Sequence, residues 1–323
     1  MSAATRIAAA ILTVALLASV ASAAQFAGSL SGPVLGYVFD RNAGKMRPVR
    51  GILGSSTVGA PIESGFAISR VLSLDARHVV ASPEGGADLV ALTLDGTESS
   101  AVAISGIPAN PTRSAASMPG TVAAFYYSEA QEVRIVTGLP QEPHQAAVVH
   151  IDKPVTQMAV SADGSMLLYA VGEDDGESLY AWTASAGGAR FLTSAASVSG
   201  LAITRNGDAI ATDRRANEVF AIWDPGGGAV RKLLAGVTDG VVEPTGVAVS
   251  SGDRIYIANS GSVLVLDTTG RFLNTHRCNC TISGVNLFRD SVFRLTDGTD
   301  QTIYLLEATS AAERILFIPP PRD

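Results

Sequence analysis

Charge is scarce in this sequence. Only 16% of its 323 residues are Asp, Glu, Lys or Arg, while 47% are hydrophobic. A disordered chain needs the opposite balance, so the chain is expected to fold throughout. Its length suits one large domain or two average ones. Cysteine is scarcer still. Cys278 and Cys280 are the only two, and two cysteines cannot staple a chain this long, which excludes a small disulfide-framework fold. Basic residues are outnumbered, 23 against 30, for a net charge of −7. Such a chain repels phosphate backbones, so nucleic acid is not an expected partner. No G-x-S-x-G elbow and no phosphate loop occur, which removes the usual signals of an α/β-hydrolase nucleophile or a nucleotide cradle.

Long apolar runs are also missing, with one exception. Residues 7–20 are apolar or small, follow Arg6, and lead into Ala21-Ser22-Ala23. That order reads as a secretory signal peptide over 1–23. The run is shorter than the ~20 residues that span a bilayer. The expectation is therefore an exported protein, periplasmic or extracellular, with no membrane span after cleavage. The mature part, 24–323, is expected to be a single domain. Loss of Arg6 leaves it 22 basic and 30 acidic residues, a net −8.

What the chain does have is glycine, 32 of them, placed as punctuation. Residues 244–273 show the pattern. Val247 and Val249 form one short apolar run, Ile255-Tyr256-Ile257 a second, and Val263 to Leu266 a third. Ser250 to Asp253, Asn259 to Gly261 and Asp267 to Gly270 separate and close them. Short β-branched runs between Gly, Asp, Ser and Asn are the sequence form of an antiparallel meander.

The phrase repeats. Ala67-Ile68, Ala116-Ser117, Ala159-Val160, Ala202-Ile203, Ala248-Val249 and Asn286-Leu287 open successive units, spaced by about 44 residues on average. A period of roughly 40–50 with four short strands per unit implies an all-β chain folded as a β-propeller of four-stranded antiparallel blades. Asp163-Gly164 and Asn206-Gly207 suit the turn between the two inner strands of a unit. Outer hairpins are expected near 34–53, 89–104, 132–151, 179–192, 218–234, 263–273 and 302–318. Seven outer hairpins against six inner ones predict seven blades with an incomplete first blade. Gln25–Leu30 is a candidate for its missing strand. The alternative is six blades plus a clasping hairpin.

Pro244-x-Gly246-Val247-Ala248-Val249, with Ile255 to Asn259 and Val263 to Asp267 after it, resembles the NHL and YVTN propeller repeats. Residues 206–224 are similar to the NHL pattern as well. The likeness covers 155–273. The families it points to include protein-binding and carbohydrate-binding modules and some hydrolases, and fold does not choose among them.

Geometry narrows the search for a site. In such blades the loops between the second and third strands, and the connections between blades, share one face. Asp213, Asn259 and Asp297 fall at or near ends of second strands, and Asp239 and Glu243 in a blade connection. These five form a candidate ligand-binding ring at a channel mouth. Carboxylates with an amide oxygen suit a hard cation such as Ca²⁺. The chain also has a distant likeness to gluconolactonase-like propellers. That likeness implies a divalent cation held by Asp213, Asn259 and Glu243, which would polarise a lactone carbonyl and acidify bound water. The competing reading is that Asp and Asn cap the turns they sit in. A second candidate is His276, Cys278 and Cys280, which would share one face of an extended strand and suit Cu⁺ or Zn²⁺. Its competitor is a local Cys278–Cys280 disulfide, which needs a bent strand. Trp182 and Trp223 read as matching third-strand positions of consecutive blades. No convergent catalytic set emerges. The expectation is a non-enzymatic binding scaffold, acting as a monomer without a cofactor, for a protein or small-molecule ligand. A divalent-cation-dependent lactonase-like hydrolase is the alternative.

Overall fold

Seven antiparallel sheets follow one another along the chain in this computed structural model, which describes residues 32–309 and 312–321. Within each sheet every strand pairs with its neighbour in sequence. Each sheet is thus an up-and-down meander, and the fold is a seven-bladed β-propeller. Among the described residues the only helical element is a 3₁₀ turn, Val237–Asp239.

The innermost strands of blades two to seven are Ile68–Ser73, Arg113–Ala116, Val155–Val160, Val198–Ile203, Gly246–Val249 and Asn286–Arg289. Together they line a central channel. Blade one has three described strands, Val34–Asp40, Lys45–Ile52 and Ser55–Val58. Their burial falls outward: the first is almost wholly buried, and the last alternates between exposed and half-buried. They are accordingly the second, third and outer strands of a blade. The expected outer hairpin at 34–53 is therefore one strand further in than the sequence suggested. Its turn, with Asp40 before Gly44, looks like an outer bend, but the short exposed strand that follows, Ser55–Val58, is too polar to announce itself. Gln25–Leu30 lies outside the described residues.

The core is distributed. Seven apolar clusters lie between successive blades, and the last joins blade seven to blade one. A blade buries its faces only against its two neighbours, so a lone unit could not be stable. The closing cluster packs Leu35, Val38 and Val49 on Phe288, Val292, Ile303, Leu305 and Ile318. A Cβ at Gly36 would lie 2.8 Å from the Phe288 ring, so glycine is what lets that ring approach. Arg289 adds a hydrogen bond from Nη1 to the Leu35 carbonyl, 3.2 Å, across the same seam.

The two tryptophans are not equivalent. Trp182 pairs with Leu167 and is 8% exposed within the cluster between blades three and four. Trp223 falls at the end of its strand, 38% exposed, with the Lys232 ammonium 5.0 Å from its ring centre. Ile222, not Trp223, is the counterpart of Trp182; Trp223 stands one position further along its strand and so faces the other way.

Candidate functional site at the channel mouth

Each innermost strand begins with a hydroxyl. Ser69, Thr112, Thr156, Ser199, Thr245 and Ser283 stand at or shortly before the starts of the six. Five of them donate to a backbone carbonyl of the second strand or its end. The pairs are Ser69 to Ser82 (3.0 Å), Thr156 to Ala170 (3.3 Å), Ser199 to Thr212 (3.4 Å), Thr245 to Ala258 (3.5 Å) and Ser283 to Leu295 (3.3 Å). Thr112 bonds the Ser128 hydroxyl instead, at 2.9 Å. In three blades the ladder register shifts across this residue, at Ile68/Arg70, Val155/Gln157 and Val198/Gly200. A bulge leaves a backbone group unpaired, and the side-chain hydroxyl supplies the donor that group lacks. The six recur at steps of 43, 44, 43, 46 and 38 residues. That hydroxyl period is readable in the sequence itself.

The hydroxyls rim the mouth at which the second-to-third-strand loops and the blade connections emerge. On the side of blades one to four and seven this mouth opens into a cavity of about 530 Å³. Four arginines line it: Arg41, Arg70, Arg113 and Arg294. Arg70 and Arg113 act as clamps between blades. Arg70 Nη1 donates to the Pro111 carbonyl at 2.9 Å, and Arg113 Nε to the Val155 carbonyl at 2.8 Å, partners 41 and 42 residues onward. A guanidinium has five N–H groups, so each keeps donors free for the cavity. Arg41 sits in the turn after Val34–Asp40 and is exposed. Arg294 closes its strand and reaches Asp297 Oδ1 with Nη2, 3.2 Å. Asp297 is the only acid on this cavity wall among the described residues. Arg294 Nε is buried and has no hydrogen-bond partner among the described residues. Burial pulls the Arg294 pKa down; Asp297 opposes this and Arg41 adds to it.

The opposite mouth has the opposite sign. Its cavity, about 1270 Å³, is lined by Asp75, Asp163, Asp208, Asp224 and Asp290, with Arg205 as the one cation among the described residues. Several of these acids are spent on turns. Asp75 Oδ1 accepts from Arg77 N and His78 N, and Asp224 Oδ2 from Gly228 N. Asp163 accepts from the Ser161 and Ser165 hydroxyls and from Ser165 N, which hold its pKa down at about 2.

The acids singled out in the sequence are placed as follows. Asp213 is 2% exposed. Its Oδ1 accepts from Ser197 N (3.0 Å), Arg215 N (3.1 Å) and Ala216 N (3.0 Å), and its Oδ2 from Ala196 N (2.6 Å). Asn259 is also 2% exposed. It accepts from Val242 N at 3.2 Å and donates to the Gly240 carbonyl at 2.9 Å. Asp239 accepts from Gly236 N at 2.9 Å, within the 3₁₀ turn. Glu243 is exposed, with φ of +42°, and its N–H donates to Asn217 Oδ1 at 2.6 Å. Asp213, Asn259 and Asp239 thus hold the backbone of blades five and six, while Asp297 alone reaches the arginine cavity. Among the described residues no three His, Cys, Asp or Glu side chains gather to hold a metal ion.

At the edge of blade six, Cys278 and Cys280 form a disulfide with Cα atoms 5.1 Å apart. Both follow the outer strand Phe272–Arg277, so the bend they need comes after the strand has ended. His276 turns away to blade seven, its Nε2 3.3 Å from Glu313 Oε2. Glu313 also takes Arg254 Nη1 and the Tyr256 hydroxyl. Burial alone would raise the Glu313 pKa; the hydrogen bonds from Arg254, His276 and Tyr256, with the Arg254 charge, bring it below the usual value.

No family model matches the chain, and no curated protein matches it. Solved structures do. A candidate 6-phosphogluconolactonase from Bacteroides fragilis aligns with a TM-score of 0.55 at 13% identity, over 88% of this chain and 96% of that one. Hydrazine synthase from Kuenenia stuttgartiensis aligns at 0.54 and 12%, over 93% and 99%. The protein U3-55K aligns at 0.55 and 13%, over 80% and 83%. At these identities the likeness is one of fold.

Proposed function

We propose that this chain is an exported, non-enzymatic propeller whose loop and blade-connection face binds a ligand or partner at the channel mouth. One observation carries the reading: a cavity of about 530 Å³ at that mouth, lined with guanidinium and hydroxyl groups. Its size falls within the roughly 300–1,000 Å³ of small-molecule sites. The engagement of Asp213 and Asn259 with backbone groups supports a structural role for them. The export signal at 1–23 supports an extracytoplasmic setting, and the phrase at 244–273 supports kinship with NHL or YVTN repeats. Among the described residues no helix is long and apolar enough to cross a membrane.

The test has two parts. Fractionation of cells expressing the full chain should place a shortened product, lacking 1–23, outside the cytoplasm; full-length product in the cytosol would end the export reading. Purified protein should not hydrolyse a lactone panel with or without Ca²⁺. Turnover that needs the ion and disappears in Glu243→Gln would replace the scaffold reading with the lactonase-like one.

A further inference from the structure

The geometry points to a specific ligand class for this mouth: a small hydroxylated organic anion, held by its carboxylate or phosphate group between Arg41 and Arg294. The inference rests on the reading of this face as the binding face and names what it takes. Among the described residues four guanidiniums share one cavity wall with a single carboxylate, Asp297. Like charges confined together repel, and each gains when an anion enters. The local excess is notable because the chain as a whole is acidic, with a net charge of −7. Arg70 and Arg113 are fixed by backbone carbonyls, which orients their remaining donors before any ligand arrives. Arg294 is engaged on one side only; its buried Nε has no partner among the described residues. The side chain as a whole is still 22% exposed, so the guanidinium edge away from that Nε remains open to an anionic oxygen in the cavity. The guanidinium fork matches planar carboxylate and phosphate oxygens in pairs. The Ser69 hydroxyl beside them suits the hydroxyl groups of the same ligand.

Calorimetric titration of the mature chain with citrate, glucuronate and inorganic phosphate, against neutral glucose at matched ionic strength, tests this. At least one of the three anions should bind saturably with Kd below about 1 mM. Arg41→Gln and Arg294→Gln should each weaken that binding by about tenfold, the effect of one lost charge-assisted pair. Asp297→Asn should hold or strengthen it. Arg41 lies in an exposed turn, so its variant should keep the parent Tm and serve if Arg294→Gln folds poorly. Citrate or glucuronate against phosphate decides the anionic group. Absence of binding by all three anions, or binding that neither arginine variant alters, overturns the proposal. If glucose binds as well as the anions and Ser69→Trp abolishes it, the mouth remains a binding face and only its anion selectivity falls.

Discussion

Asp213 shows how much backbone one carboxylate can hold. Four N–H groups converge on it, two from the connection into blade five and two from the loop beyond its own strand. Asp213→Ala should leave these donors without acceptors in a buried place and destabilise the fold by about 3 kcal/mol. Asp213→Asn keeps one acceptor and should cost less. Urea midpoints at unchanged slope would measure both; an alanine variant as stable as the parent would show that water replaces the carboxylate. Acid should act through a different pair. Hydrogen bonds from Ser161 and Ser165 hold Asp163 at about 2, and those from Thr269 and Arg271 hold Asp267 at about 2, against an ordinary 3.8. A carboxylate depressed in the folded state favours folding above its unfolded pKa. That contribution is lost as pH falls toward the folded value. Tm should therefore decline between about pH 4 and 2, and the double variant Asp163→Asn, Asp267→Asn should decline less steeply. At this scale the sequence was half legible. Asp and Asn at strand ends were readable as turn caps, because capping is local. The arginine cavity was not: Arg41, Arg70, Arg113 and Arg294 come from four blades, and net charge carries no position. The one trace was that Arg70 and Arg113 stand a repeat apart.

A blade is specified by alternation and turns, but its fit against the next blade depends on what glycine leaves open. In the channel a Cβ at Gly200 would lie 2.7 Å from Val247 N and 2.9 Å from Gly246 Cα. Those are backbone atoms and cannot swing aside, so Gly200→Ala should force blades five and six apart. At the closing seam the obstacle is a side chain. Gly36→Ala would meet the Phe288 ring, an overpacking that typically costs about 1–3 kcal/mol. Phe288→Ala should cost about 3–5 kcal/mol through lost burial and a cavity. The two should couple: Gly36→Ala combined with Phe288→Leu should be less destabilised than the sum of the single changes. Strict additivity in a denaturant series would show that this contact does not set the seam. Element boundaries explain the one displaced hairpin. Strand Ser55–Val58 is four residues of Ser, Thr and Val, and short outer strands carry little apolar signal because one face meets solvent. Blades four and five were read well since their inner turns hold Asp163-Gly164 and Asn206-Gly207, and blade six since its apolar runs are closed by Ser250 to Asp253 and Asn259 to Gly261.

The whole molecule depends on closure. An open stack of repeats is stabilised by the sum of its interfaces and can unravel from an end. Here the seventh cluster joins first blade to last, so no blade is terminal among the described ones. Loss of any one interface should then loosen its neighbours on both sides, and unfolding should be a single transition. Trp182 gives a local probe in the interface of blades three and four; far-UV circular dichroism reports all seven sheets. The two should melt together in the parent protein. They should also melt together, at a lower Tm, in Phe288→Ala, although that change lies in the opposite part of the chain. If Trp182 fluorescence keeps the parent Tm while the sheet signal loses part of its amplitude earlier, blade seven opens independently. The molecule would then behave as an open stack that happens to bring its ends together. A shared midpoint in both proteins would instead mean that the seam between Gly36 and Phe288 is felt by every blade, and that the mouth the arginines line is held rigid by the ring as a unit.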